Sequence, residues 1–164
     1  MMSKTKKLRG SFRWTAWDPR LLVAQMAAVQ ALLYSSLALL LALAQDLTGA
    51  PRTLDHIFAY HELHVRNSEG CSVIASFVLN AIIGAFALWL VVGRTKLCLD
   101  FSCTFHGIHL VACWLYNGSF PATLSWWTLN VACASVTCVA AEFLCLRTEL
   151  QAIPLSNIGA KVDL

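Results

Sequence analysis

Cys98-Leu99-Asp100-Phe101-Ser102-Cys103-Thr104-Phe105-His106-Gly107-Ile108-His109-Leu110-Val111-Ala112-Cys113-Trp114-Leu115-Tyr116 is the stretch that decides the fold class. From Phe101 onward it carries no Asp, Glu, Lys or Arg and is apolar enough to cross a bilayer. Inside it, His106 and His109 stand three residues apart, a spacing that puts both rings on one face of a helix. Ionisable groups at membrane depth are expensive and face other protein. The segment therefore belongs to a helix bundle whose other members give those rings partners.

The flanking sequence has the same character. Of 164 residues, 58% are hydrophobic and 13% charged, against roughly 45–50% and about 25% in soluble domains. The apolar residues lie in long uncharged runs, the pattern of a polytopic all-α membrane protein with no room for a separate catalytic domain. The net charge of +3 comes mostly from the N-terminal end and reads as topology-setting charge, not as a nucleic-acid patch. Seven cysteines without a Cys-x-x-Cys pair behave as small buried hydrophobes, not as a disulfide framework.

Residues 1–20 form a basic, aromatic arm with Lys4, Lys6, Lys7, Arg9, Arg13 and Arg20 interleaved with Phe12, Trp14 and Trp17. Such an arm suits anionic lipid headgroups and the membrane interface. Asp18-Pro19 reads as a helix start, a capping carboxylate followed by proline at the first helical position. Four spans then follow in a 21–146 transmembrane domain, at about 21–44, 71–93, 101–117 and 125–146. The first holds Ala42-Leu43-Ala44, which resembles a cleavage site, but its uncharged run exceeds the roughly 7–15 residues of a cleavable signal. It is expected to be an uncleaved anchor. The second carries a small-residue strip, Ala81, Gly84 and Ala85, suited to close helix approach. The polar loop 45–70 has the capacity for a short interfacial helix from Thr53 to about Val65, and 147–164 is an irregular tail. Ten of the twelve basic residues fall on one side of this arrangement, which predicts a compact antiparallel bundle with both termini cytosolic.

Depth follows from the 1.5 Å rise per residue. Counted from Asp100, His106 lies about 9 Å from the cytosolic end of its span. Gln25, counted from Arg20, and Glu142, counted from Arg147, each lie about 7.5 Å in. Gln25, His106 and Glu142 are thus expected to share one polar layer in the cytosolic third, with His109 one turn deeper. Asn80, Asn130, Tyr34 and Ser35 would form a second, neutral layer. Interhelical hydrogen bonding that fixes packing is the favoured reading of the first layer. A proton or ion relay is the next, and a His-x-x-His metal centre the last. In the loop, His61 and His64 can share a helical face, but His61-Glu62-Leu63-His64 lacks the zinc-protease spacing. A solvated face is preferred, so no metal, cofactor or small-molecule substrate is expected. Asn117-Gly118-Ser119 matches a glycosylation acceptor so close to the membrane that it should be unused. Cys98 and Cys145 sit at the cytosolic boundary, where S-palmitoylation occurs in other proteins; plain reduced thiols are expected here.

Trp17-Asp18-Pro19, Phe77-Val78-Leu79-Asn80-Ala81 and Cys98-Leu99-Asp100-Phe101 come in that order. His106, His109-Leu110, Cys113-Trp114, Tyr116, Phe120-Pro121 and Trp126-Trp127 follow. Last come Glu142-Phe143-Leu144-Cys145-Leu146-Arg147-Thr148-Glu149-Leu150 and Ile153-Pro154-Leu155. Together these resemble the Sys family of Golgi membrane trafficking proteins. The arm is more basic than the family pattern, Ala141 stands where glycine is usual, and the histidine-bearing loop has no counterpart in it. The resemblance implies a four-span, non-enzymatic protein of the trans-Golgi membrane. It would recruit an ARF-related small GTPase whose N-terminus is acetylated instead of myristoylated, and so support golgin recruitment and endosome-to-Golgi traffic. The cytosolic surface open to such a partner includes Trp17, Asp18, Arg94, Lys96, Asp100, Arg147 and Glu149. A cytosol-facing cleft floored by His106 and Glu142 is expected to receive the acetylated end. The other class that fits the residues is a small proton-coupled transporter or transport subunit using the His/Glu layer.

Overall fold

Asp18 and Pro19 open the first long helix as their order predicts. In the computed structural model, which describes residues 18–62 and 67–151 and the backbone alone of Glu62, α1 runs Pro19–Thr48. Asp18 Oδ1 accepts from the amides of Arg20 at 3.1 Å and Leu21 at 3.4 Å. These amides begin the helix and have no carbonyl partner within it. The arm before Asp18, with Trp17, the loop histidine His64 and the tail after Gln151 lie outside the described residues.

The buried face of α1 is a single stripe, Val29, Leu33, Leu37, Leu41 and Gln45, at intervals of four. Its other faces expose Val23, Leu39 and Leu47, the last at 88%. So much exposed aliphatic surface suits lipid, where the backbone's polar groups must be satisfied inside the helix itself. After α1 come α2 (Asp55–Phe58) and a 3-10 turn, Tyr60–Glu62. The remaining long helices are α3 (Ser68–Val91), α4 (Thr95–Asn117) and α5 (Leu124–Gln151). All four long helices are long and apolar enough to cross a membrane, and no strand occurs among the described residues. The all-α bundle is as the sequence predicts. Of the expected loop helix only α2 and the 3-10 turn are present among the described residues.

α3 lies at the centre of the packing, with α1 along one side and α5 along the other. α4 packs on α5, while α1 and α4 meet only over a short length. Gly84 makes the central contact close: a Cβ there would stand 3.0 Å from Leu33 Cδ2 and 3.2 Å from Thr137 Cγ2. Ala81 and Ala85 flank it and are buried, the role expected of a small-residue strip. Gly93, at φ 59°, turns the chain between α3 and α4 within three residues, a conformation that disfavours other L-residues.

Two apolar clusters fill the bundle. One, towards the α3–α4 turn, centres on Leu33, Leu88, Phe101 and Cys145. The other, towards α2, centres on Leu37, Leu41, Val73 and Trp126. The α2 segment is tied across its end of the bundle. Tyr116 donates to Asp55 Oδ1 at 2.7 Å, Asn117 Nδ2 donates to the Phe58 carbonyl at 2.8 Å, and the Tyr60 and Ser119 hydroxyls lie 3.0 Å apart.

Gly84→Val should force α3 away from α1 and α5 and lower stability by about 1–3 kcal/mol, read as a fall in the thermal midpoint of the protein in nanodiscs. Asn117 Nδ2 donates to the carbonyls of both Phe58 and Cys113, so both amide hydrogens are engaged. The sequon should therefore stay unmodified, and endoglycosidase treatment should leave the electrophoretic mobility of the cellular protein unchanged.

Candidate functional site

The polar residues of the bundle gather at the middle of its helices, between the two apolar clusters. His106 is the central residue of α4, eleven from Thr95 and eleven from Asn117. Asn80 is twelve from Ser68 and eleven from Val91, at the middle of α3. Thr137 is thirteen from Leu124 and fourteen from Gln151, at the middle of α5. Ser36 Oγ donates to Asn80 Oδ1, joining α1 to α3. Thr137 Oγ1 donates to the Ala81 carbonyl at 3.0 Å, joining α5 to α3. Ser102 Oγ donates to the Ala134 carbonyl at 3.1 Å, joining α4 to α5. Each bond places a polar group where hydrocarbon would give it no partner.

His109 is 2% exposed. Its Nδ1 lies 3.3 Å from the Tyr34 hydroxyl and its Nε2 3.5 Å from Cys113 Sγ. A neutral imidazole needs one donor and one acceptor opposite it, and a hydroxyl with a thiol satisfies either tautomer. Five aromatic rings, Tyr34, Phe58, Phe77, Phe105 and Trp126, have centroids between 5.9 and 6.5 Å from the imidazole. Phe58 comes from α2, so the segment between α1 and α3 closes one side of this cage. His106 differs: both of its ring nitrogens are buried without a protein hydrogen-bond partner, although the Asn130 side chain is close enough to interact. Asn130 Nδ2 itself donates to the Trp126 carbonyl at 3.0 Å.

The structure separates the residues expected to share the cytosolic layer. Gln25 Nε2 donates to the carbonyl of Val91 at 2.8 Å, supplying a partner at the last turn of α3. Glu142 is half-buried, and the Cys138 thiol donates to its Oε1 at 3.5 Å. Neither meets His106. The depth count failed because it began at Asp100, whereas α4 begins at Thr95. That shift leaves His106 at the helix centre, level with Asn80 and Thr137 and not with Gln25 and Glu142. The two expected layers therefore become one central belt that contains both histidines, Asn80 and Asn130. Ser36 takes the place given to Ser35, which is exposed. The expected cleft is corrected likewise. The space beside His106 is an internal cavity walled by all four long helices, and Glu142 is not among its lining residues.

Sequence reasoning missed Ser36, Ser102 and Thr137. Hydroxyl residues inside apolar helices commonly bond back to their own helix, as Ser76, Thr104, Thr128 and Ser135 do here. Nothing local separates those from the three that cross to a neighbour. Only the small-residue strip of Ala81, Gly84 and Ala85 carried a signal, marking where α3 is closely approached.

At the α3–α4 end, two of the candidate surface residues are occupied as helix caps. Asp18 caps α1. Glu149 accepts from the Thr95 amide at 3.1 Å and from the Thr95 hydroxyl at 2.9 Å, so α5 caps α4, whose own Arg94 offers no side-chain cap. Trp89 Nε1 donates to Thr148 Oγ1 at 3.1 Å beside it. Arg94, Lys96, Asp100 and Arg147 are exposed at this end, with the Arg147 guanidinium 5.1 Å above the Phe143 ring. The Cys98 and Cys145 sulfurs are buried 3.7 Å apart, facing each other between α4 and α5 and closed to an acyl donor. Among the described residues no three His, Cys, Asp or Glu side chains are placed to hold a metal ion. His56 is buried, and the His61 ring lies tilted against Tyr60 with centroids 3.8 Å apart.

A family model, SYS1, described as an integral membrane protein linking to the trans-Golgi network, matches residues 12–155. A protein named SYS1 homolog from Nematostella vectensis is 41% identical over 149 residues, 91% of this chain and 94% of that protein. A SYS1 homolog from Dictyostelium discoideum is 34% identical over 93% of this chain and 65% of its own length. SYS1 of Saccharomyces cerevisiae is 27% identical over 73% of this chain and 59% of its own length. No solved structure matches the chain.

Removing the carboxylate that caps α4 should loosen the α3–α4 turn. Glu149→Ala is expected to cost about 1 kcal/mol and Glu149→Gln less, because the amide oxygen still accepts. Thermal unfolding of the two variants in the same nanodisc checks the order.

Proposed function

Because this chain belongs to the SYS1 family of integral membrane proteins linked to the trans-Golgi network, we propose that it is a Golgi membrane receptor that recruits an ARF-related small GTPase from the cytosol. In this reading the GTPase carries an acetylated N-terminus without a lipid chain. A single acyl chain gives only marginal membrane binding, and a partner with none needs a protein to hold it at the membrane. The recruited GTPase then supports golgin recruitment and endosome-to-Golgi traffic.

One observation carries the reading. The α3–α4 turn is fastened to the end of α5 by the bonds from Thr95 to Glu149 and from Trp89 to Thr148. This fastened end presents Arg94, Lys96, Asp100 and Arg147 at exposed positions. The excess of basic residues on that side favours a cytosolic orientation. The basic arm, 1–20, would hold anionic headgroups beside the docked partner. A proton-coupled transporter needs a polar route along the bundle, whereas here the polar belt lies between two apolar clusters. The receptor reading is therefore preferred.

In cells lacking the protein the GTPase should leave the Golgi for the cytosol, and re-expression should restore it. Golgi localisation that persists without the protein overturns the reading. The charge reversal Lys96→Glu should weaken co-purification of the GTP-loaded GTPase about tenfold, equivalent to about 1.4 kcal/mol, while leaving the thermal midpoint within a few degrees of the parent.

A further inference from the structure

The cavity beside His106 lies between the two apolar clusters and is walled by all four long helices. Space for the centre of a water molecule amounts to about 20 Å³ there. That much space open to its centre is enough to admit an ordered water. Dry cavities of this size are lined by apolar groups alone. This one has Asn80, His106, His109, Asn130 and Thr137 in its wall.

Most of those groups are already engaged. His109 has Tyr34 and Cys113, Asn80 Oδ1 accepts from Ser36, and Thr137 donates to Ala81. His106 is the exception, with both ring nitrogens buried and no protein partner in hydrogen-bonding geometry. Leaving a buried polar atom unpaired costs on the order of 1–3 kcal/mol, and the bilayer offers no alternative donor or acceptor. Asn130 lines the same cavity and makes no direct hydrogen bond to the ring, the situation in which a bridging water serves two groups at once.

We propose that the cavity is a binding site for an ordered water that bridges an imidazole nitrogen of His106 to the side chain of Asn130. Water both donates and accepts, so it suits either tautomer of a neutral ring. The bridge ties the middle of α4 to α5 half a helix away from the Glu149 cap.

The test uses full-length, histidine-¹⁵N-labelled protein in lipid bilayers, with water-to-protein magnetisation transfer read by solid-state NMR. A water cross-peak at the His106 imidazole, together with none at His109, is the expected result. No cross-peak at His106 overturns the proposal. Cross-peaks of equal strength at His106 and His109 also overturn it, because the water is then not held at His106. Asn130→Leu should abolish the His106 cross-peak, and its persistence would remove Asn130 from the bridge. The wild-type spectrum decides the central claim even if that variant does not fold.

Discussion

Thr137 reaches the carbonyl of Ala81 because Gly84, three residues along α3, has no side chain to hold α5 away. That bond and the gap at Gly84 are two aspects of one close approach, with Leu33 of α1 pressed against the other side of the same glycine. In lipid there is little hydrophobic drive to bring helices together, so contact depends on shape and on hydrogen bonds between helices. α3 provides both at its midpoint and holds α1 and α5 on opposite sides. α4 joins the bundle through α5. Its attachments to α5 are Ser102 to Ala134 near the middle and Glu149 to Thr95 at the end.

The helix ends follow a related logic. A tight turn between α3 and α4 leaves unpaired carbonyls at the end of one helix and unpaired amides at the start of the next. Both needs are met from other helices. Gln25 of α1 donates to Val91, and Glu149 of α5 accepts from Thr95. Two residues that look like free polar side chains in the sequence are therefore parts of the helix ends they cover. The charged residues at this end that do not serve as caps, Lys96, Asp100 and Arg147, project outward.

The two histidines of α4 have different surroundings. His109 is enclosed by aromatic rings and satisfied by a hydroxyl and a thiol, an arrangement that holds the imidazole in place. His106, one helical turn away, faces a small polar cavity with Asn130 across it. Sequence spacing alone makes the two rings equivalent. Their difference comes from Tyr34, Cys113 and Phe58, which come to His109 from α1, from the next turn of α4 and from the α2 segment.

The sequence by itself determined the number of long helices, the start of α1 at Asp18-Pro19, the tight α3–α4 turn and the small-residue contact at Gly84. Each is local: a run of uncharged residues, a capping pair, a glycine among alanines. Only the tertiary structure decided which polar side chains meet. Charged residues mark where a span is expected to end, but a helix continues until its backbone runs out of partners, and α4 begins five residues before Asp100. Five residues is about 7.5 Å of rise, enough to move His106 away from Glu142 and Gln25 and into the company of Asn80, Asn130 and Thr137. Hydrogen bonds act over about 3 Å, so a displacement of that size, invisible in the pattern of hydropathy, fixes which residues form the site.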